Sequence, residues 1–251
     1  MSLALPGELR ALLGKAPKRA ARGPLSRRLL TSGARRRLAG LGEASFVLAS
    51  DENALGGCAE MAKTGLLYPT AKERLSLWRA LADNRDATIF LSLRGYAGFF
   101  SAVHGQTARA GAYEPLARGA HELMKSPPRR WTDLVADIRA ALPNAHLALW
   151  AFEDYPALRR TVLARLTRRE DVEPVRRTPM ATPSVAAMAR IAEGGAPDAA
   201  AARAIIADNP VDEDNPRYTA FSAAEALHLE GLYAEDLMRL RDDPDIEFLS
   251  A

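Results

Sequence analysis

Six residues, Thr88-Ile89-Phe90-Leu91-Ser92-Leu93, do most to limit what this chain can become. A β-branched, apolar run of that length reads as a buried strand. Arg94 stands where the strand must end, Gly95 breaks the pattern, and residues 96–109 continue as a helix that carries Ser101 and His104. A strand that delivers an arginine to its carboxyl end, followed at once by a helix N-terminus, is how open α/β sheets build an anion site. The helix end offers unpaired N–H groups and a positive dipole, and the guanidinium adds a fixed fork of donors.

The same alternation recurs along the chain. Residues 45–49 read as a strand that runs into Ser50-Asp51-Glu52-Asn53. A loop over 56–68 and Pro69 then lead to a helix over 70–82, where Thr70 and Glu73 have the spacing of a capping box. Trp131, Leu134, Val135, Ile138 and Ala141 recur at helical spacing up to Leu142-Pro143. Residues 146–152 give another apolar strand, closed by Glu153-Asp154-Tyr155-Pro156 and followed by a helix over 157–166. A proline-punctuated loop over 172–183 precedes helices at 184–193 and 197–207, and Ser222 with Glu225 caps a last helix. Strands alternating with helices of this size predict a mainly parallel sheet with helices on both faces. The expected organisation is a single α/β domain over 1–251. It comprises a basic helical arm over 1–44, a sheet core over 45–166 and a helical C-terminal region over 167–251.

Composition narrows the classes of partner. With 48% apolar residues among 251, the chain can bury one sizeable core. Its single cysteine, Cys58, excludes an intramolecular disulfide framework and a cysteine-rich metal site, and the histidines lack metal-ligand spacing. The sequence has no apolar run of about 18 residues and no secretory signal, so it reads as a soluble, cytoplasmic protein. Residues 1–45 hold ten basic residues against Glu8 and Glu43, a net of +8, while the remainder has 24 basic against 29 acidic, a net of −5. Such an arm can bind nucleic acid, an anionic surface or an anionic ligand, and it has some features of an organellar transit peptide. It lacks the interleaved aromatics of a single-strand nucleic-acid surface, and a solvated helical face accounts for it as well.

Three blocks point somewhere specific: VLASDENALG with GLLYP downstream, TIFLSLRGYAGFFSAVHGQTAR, and WTDLVADIRAALPNAHLALWAFEDYP. In order, over roughly residues 45–156, they resemble the bacterial branch of the sulfotransferase superfamily. The resemblance implies a P-loop-NTPase-like α/β fold and the sulfate donor 3′-phosphoadenosine 5′-phosphosulfate (PAPS) as co-substrate. It implies that Arg94 and Ser101 grip the donor's 3′-phosphate, and it makes Phe152-Glu153-Asp154 similar to a Tyr-Glu-Asp element of the family. Seven residues at about 100° each return to nearly the same helix face, about 10 Å along the axis, so such a pair is geometrically sensible. Ala102 stands where the family usually has its serine. Arg177, within Arg176-Arg177-Thr178, lies where some members place a late donor-binding loop, with Thr182 and Ser184 following. The Pro-Lys-x-Gly-Thr-Thr loop that holds the donor's phosphosulfate in the family is not found, so the expected fold is an N-terminally truncated one.

Sulfuryl transfer needs a base for the acceptor hydroxyl. Glu52, at the end of the first expected strand, is the candidate, with His104 second; turn chemistry is the structural alternative for Glu52. Glu153-Asp154 is read as positioning the helix that follows it. The first expectation is therefore a sulfotransferase-like protein, moving a sulfuryl group to a hydroxyl of a carbohydrate or small molecule, with activity compromised by the missing donor loop. The alternatives are a degenerate, non-catalytic interaction module of the same fold and a nucleic-acid or anionic-surface binder acting through the basic arm.

Overall fold

A computed structural model describes residues 32, 48–50, 53–82, 86–174, 181–195 and 198–251. The basic arm, apart from Ser32, lies outside them, as do Glu52 and Arg177. Of the strand expected over 45–49, residues 45–47 lie outside and Leu48 and Ala49 belong to no strand.

The sheet has three parallel strands among the described residues, in the order β1 (Thr88–Leu93), β2 (His146–Ala151) and β3 (Ile246–Leu249). β1 pairs with β2 from Thr88↔His146 to Leu93↔Ala151, and β2 pairs with β3 from Leu147↔Ile246 to Trp150↔Leu249. Parallel neighbours demand crossovers, and helices supply them. Before β1 come α1 (Cys58–Thr64) and α2 (Ala71–Ala82); between β1 and β2 come α3 (Tyr96–Arg109), α4 (Arg118–Lys125) and α5 (Trp131–Ala141). Between β2 and β3 the chain forms a 3₁₀ turn (Phe152–Asp154), α6 (Tyr155–Thr167), α7 (Val185–Arg190), a π turn (Ile191–Gly195), α8 (Ala199–Asp208) and α9 (Ala223–Arg241).

Period-two alternation in β2 explains why helices cover both faces. Leu147 and Leu149 join Leu75 of α2, Tyr96 and Phe100 of α3, Trp131, Leu134 and Ile138 of α5, and Leu229, Tyr233 and Leu240 of α9 in the main core. Trp150 points the other way and packs with Leu249 and with Leu158 and Val162 of α6. A third cluster, Ala108, Met188, Ile191 and Ala202, joins α7 and α8 to the end of α3. The α/β class with a parallel sheet and helices on both faces therefore holds.

Three expectations change. The region read as helical from 167 onward ends in β3, so the sheet takes a strand from the chain's last described residues. The loop read over 56–68 contains α1, and the segment before α5, for which no element was expected, contains α4. α1 stops at Gly65, whose φ of +72° is left-handed and whose missing side chain lets the Ala120 carbonyl approach. The capping box expected from Thr70 and Glu73 does not form. Thr70 donates its hydroxyl to Glu60 Oε2 at 2.7 Å, and the buried Arg74 reaches Thr70 Oγ1 at 3.2 Å, Glu60 Oε1 at 3.4 Å and the Asn53 carbonyl at 3.2 Å. Satisfying that buried guanidinium outweighs one helix-end N–H. The Ser222–Glu225 box does form: Ser222 N–H donates to Glu225 Oε2 at 2.9 Å and Glu225 N–H to Ser222 Oγ at 3.4 Å.

Candidate functional site

β1 ends on Leu93, and the backbone just beyond it is held from three sides. The Trp131 indole N–H donates to the Arg94 carbonyl at 3.0 Å. The Tyr233 hydroxyl lies 2.9 Å from the Leu93 carbonyl and 2.8 Å from Glu153 Oε2. Glu153 Oε1 accepts the Gly95 N–H at 3.1 Å. Glu153 thus serves the start of α3, not the helix that follows it, where Asp154 makes no side-chain cap. Its carboxylate supplies part of the negative charge that a helix N-terminus favours. Behind this edge, the fully buried Asp236 of α9 accepts from the Tyr96 hydroxyl and lies 2.9 Å from Arg130 Nη2 and 3.3 Å from the Trp131 N–H. The Tyr96 hydroxyl also accepts from the Trp131 N–H at 2.8 Å. α3, α5 and α9 are thereby locked together beneath the site.

Arg94 is presented by this frame. Its half-buried guanidinium lies 4.9 Å from the centre of the Phe152 ring and rests against bare Gly98, where an added Cβ would meet Nε at 3.5 Å. Among the described residues it makes no hydrogen bond or ion pair, and the charges felt there are those of Glu153 and Arg217. Burial lowers the proton affinity of Arg94 from its ordinary value, Glu153 raises it again and Arg217 lowers it. A guanidinium stays protonated through such shifts, so a fixed, charged fork faces this edge with no hydrogen-bonded counter-ion.

Ser101 and His104 are both close by in sequence and otherwise engaged. Ser101 is only 3% exposed, and its hydroxyl donates to the Ala97 carbonyl at 2.7 Å and accepts the Ala220 N–H at 3.1 Å. It ties the segment before α9 to α3 and has no donor left for a phosphate in this arrangement. His104 lies 3.1 Å from the Glu114 carbonyl through Nε2 and 2.9 Å from the Tyr218 hydroxyl through Nδ1. A carbonyl only accepts, so Nε2 carries the proton and Nδ1 accepts from Tyr218. Burial holds the imidazole neutral, and burial also raises Tyr218 to about 12. His104 is therefore a packed clasp with no free lone pair for base catalysis. Ser184, also singled out in the sequence, accepts the Ala187 N–H at 3.1 Å and donates to the Asn209 carbonyl at 2.7 Å, capping α7.

Sequence reasoning did not find Arg217, Tyr233 or Asp236. Arg217 follows Asn215-Pro216 in a polar segment between helices, where a lone cation carries no pattern; its charge is felt at Arg94 only in the folded chain. The structure does not assemble a phosphate cradle from β1 and α3; at this sheet edge it sets the Arg94 guanidinium beside the exposed Phe152 ring. An open groove of about 770 Å³ lies at the opposite edge, lined by His146, Ile246 and Glu247 at the amino ends of β2 and β3. Compared with protein-family models, curated proteins and solved structures, the chain matches none.

Proposed function

We propose that this chain is a sulfotransferase-like protein that binds the 3′-phosphate of a PAPS-type nucleotide through Arg94. One observation carries the reading: a half-buried guanidinium, delivered by a parallel strand to its carboxyl edge, has no hydrogen bond or ion pair among the described residues. Ligands of open α/β sheets bind at that edge, and a phosphate monoester matches the fork of donors. In the full reaction the acceptor oxygen bonds to the sulfur as the bond from sulfur to the bisphosphate oxygen breaks, and the hydroxyl proton passes to a base. Glu52 is the residue to test in that role. The acceptor class proposed is a hydroxyl of a carbohydrate or small molecule.

A second reading, a non-catalytic nucleotide-binding module of the same fold, is favoured by the engagement of Ser101 and His104 in internal bonds. Calorimetric titration with adenosine 3′,5′-bisphosphate tests the shared claim. Arg94→Ala is expected to weaken binding by at least about tenfold, the loss of a charge-assisted hydrogen bond. Equal affinity in the two proteins, or no binding by either, refutes it. Sulfuryl transfer from PAPS to a panel of sugars, abolished by Glu52→Gln, separates the enzyme from the module.

A further inference from the structure

The two edge strands of the sheet are built differently. β3 is short, Asp245 precedes it, and its Glu247 is held by His146 Nε2 at 2.8 Å and by Arg165. Charges of this kind keep an edge strand from pairing with another chain. β1, at the other edge, runs through six residues without a charge or a proline and stays in unbroken register with β2. Among the described residues no strand pairs with its outer side, and Leu48 and Ala49, expected in a strand of their own, belong to none. Its side chains are correspondingly less covered. Residues 147–151 of β2 are all buried, whereas Ile89, Phe90, Leu91 and Ser92 are only half-buried.

The backbone direction follows from one bond: the His146 N–H donates to the Ala87 carbonyl at 2.8 Å. In a parallel ladder alternate residues turn both backbone groups to the same neighbour, so Ala87, Ile89, Leu91 and Leu93 serve β2. Thr88, Phe90 and Ser92 therefore turn their N–H and C=O groups to the open edge. An antiparallel copy of β1, with Phe90 on the two-fold axis, satisfies all of them. Phe90 meets the partner's Phe90, and Thr88 meets the partner's Ser92, each pair exchanging both backbone bonds. Directly opposed residues share a face, so Ile89 meets the partner's Leu91 on the side that packs against the main core, and the hydroxyls of Thr88 and Ser92 pair on the other. The first charged residues on either side of the strand are Asp86 and Arg94. In this register they also stand opposite one another, so charges of opposite sign meet at both ends. Arg94 rests over Phe152 and contributes here by the sign of its charge, not by contact.

We propose that the outer edge of β1 is a homodimer interface: a second copy of this chain adds its own β1 antiparallel about a two-fold axis at Phe90, joining two three-stranded sheets into one. The occupant is a second copy because the strand is complementary to itself in its backbone bonds, in its apolar pairs and in the charges at its ends. The proposal stands apart from the nucleotide reading and needs neither Glu52 nor a ligand at Arg94.

Sedimentation velocity over a wide range of protein concentration, without nucleotide, reads the state of the wild type, which is expected to run at twice the chain mass and to dissociate on dilution. Thr88 is exposed and its N–H faces the open edge, so Thr88→Pro removes an interchain bond from each copy and leaves the ladder to β2 in place. It should keep the melting temperature and weaken the dimer on the order of tenfold or more. The register is read by cross-linking in a Cys58→Ser background. Opposed Cα atoms at position 90 lie about 5.5 Å apart, within disulfide reach, so Phe90→Cys should link two chains on oxidation. The two copies of position 92 lie about 13 Å apart along the strands, so Ser92→Cys should not. This pair decides the matter even where Thr88→Pro lowers the melting temperature. A wild type that stays monomeric at every concentration overturns the proposal. So does a dimer that a folded Thr88→Pro leaves at wild-type strength, a failure of Phe90→Cys to cross-link, or cross-linking through Ser92→Cys instead.

Discussion

Replacing Asp236 by alanine is the sharpest test of what holds the site's frame together. The carboxylate is fully buried on α9 and serves α3 through the Tyr96 hydroxyl and α5 through the Trp131 N–H at 3.3 Å and Thr132 Oγ1 at 3.4 Å. It also lies 2.9 Å from Arg130 Nη2. Two of these are charge-assisted bonds worth about 1.5–3 kcal/mol each, and the two longer contacts add little. Arg130 keeps Glu235 at 3.0 Å and the Leu232 carbonyl, so its charge is not orphaned. The Tyr96 hydroxyl, by contrast, loses its acceptor in a dry core. The expected cost of Asp236→Ala is therefore about 3–5 kcal/mol, the range for breaking a buried pair from one side. In a chain of this size that is roughly 6–20 °C in Tm. Asp236→Asn keeps an acceptor for Tyr96 and should lose about half as much. Urea unfolding followed by tryptophan fluorescence reads both, because Trp131 packs against Tyr96 with ring centres 6.2 Å apart. An unchanged slope with Asp236→Ala within about 1 kcal/mol of wild type would refute the argument that this carboxylate ties three helices together.

Three further outcomes follow from the same structure. Burial depresses the pKa of His104 below the ordinary 6.5, so the stability that neutral His104 contributes is present in full above that value and is lost as pH falls through the depressed one. His104→Gln should flatten the fall in urea midpoint between about pH 7.5 and pH 5; parallel curves for the two proteins would contradict the neutral clasp between Tyr218 and Glu114. Gly65→Ala must adopt a left-handed φ and place a Cβ 2.2 Å from the Ala120 carbonyl oxygen, so a loss of about 2–4 kcal/mol is expected; a neutral effect on thermal melting would show that α1 and α4 do not meet there. Ser184→Ala removes the cap of α7 and leaves the Asn209 carbonyl without its 2.7 Å partner. A loss of about 1–3 kcal/mol is expected by chemical denaturation, and a loss below about 0.5 kcal/mol would count against both bonds.

The elements legible in the sequence are those whose signals are local. The run from Thr88 to Leu93 is apolar and β-branched, Gly95 interrupts it, and Tyr96–Arg109 carries its own helical period, so strand and helix are found with their ends in place. Trp131–Ala141 and the Ser222 cap are legible for the same reason. β3 is not, because Ile246-Glu247-Phe248-Leu249 is too short to show alternation and becomes a strand only beside β2. α4 has Ala117 at its N-cap, with no capping side chain, which removes the usual start signal. Thr70 and Glu73 mislead because a buried arginine 14 residues from Glu60 claims the threonine first. At the site, Arg94 is legible from its strand end, whereas the roles of Ser101 and His104 depend on partners 119 and 114 residues away. Spacing along one helix places a hydroxyl or an imidazole on a face, and only the tertiary fold decides what occupies its hydrogen bonds.

The most direct test of the central claim is a crystal structure of the chain with adenosine 3′,5′-bisphosphate. The account predicts the 3′-phosphate at the carboxyl edge of β1, with its oxygens about 2.7–2.9 Å from the Arg94 guanidinium nitrogens. A nucleotide seated elsewhere, for instance in the groove beside His146 and Glu247, with Arg94 still resting on Phe152 and Gly98, would contradict it.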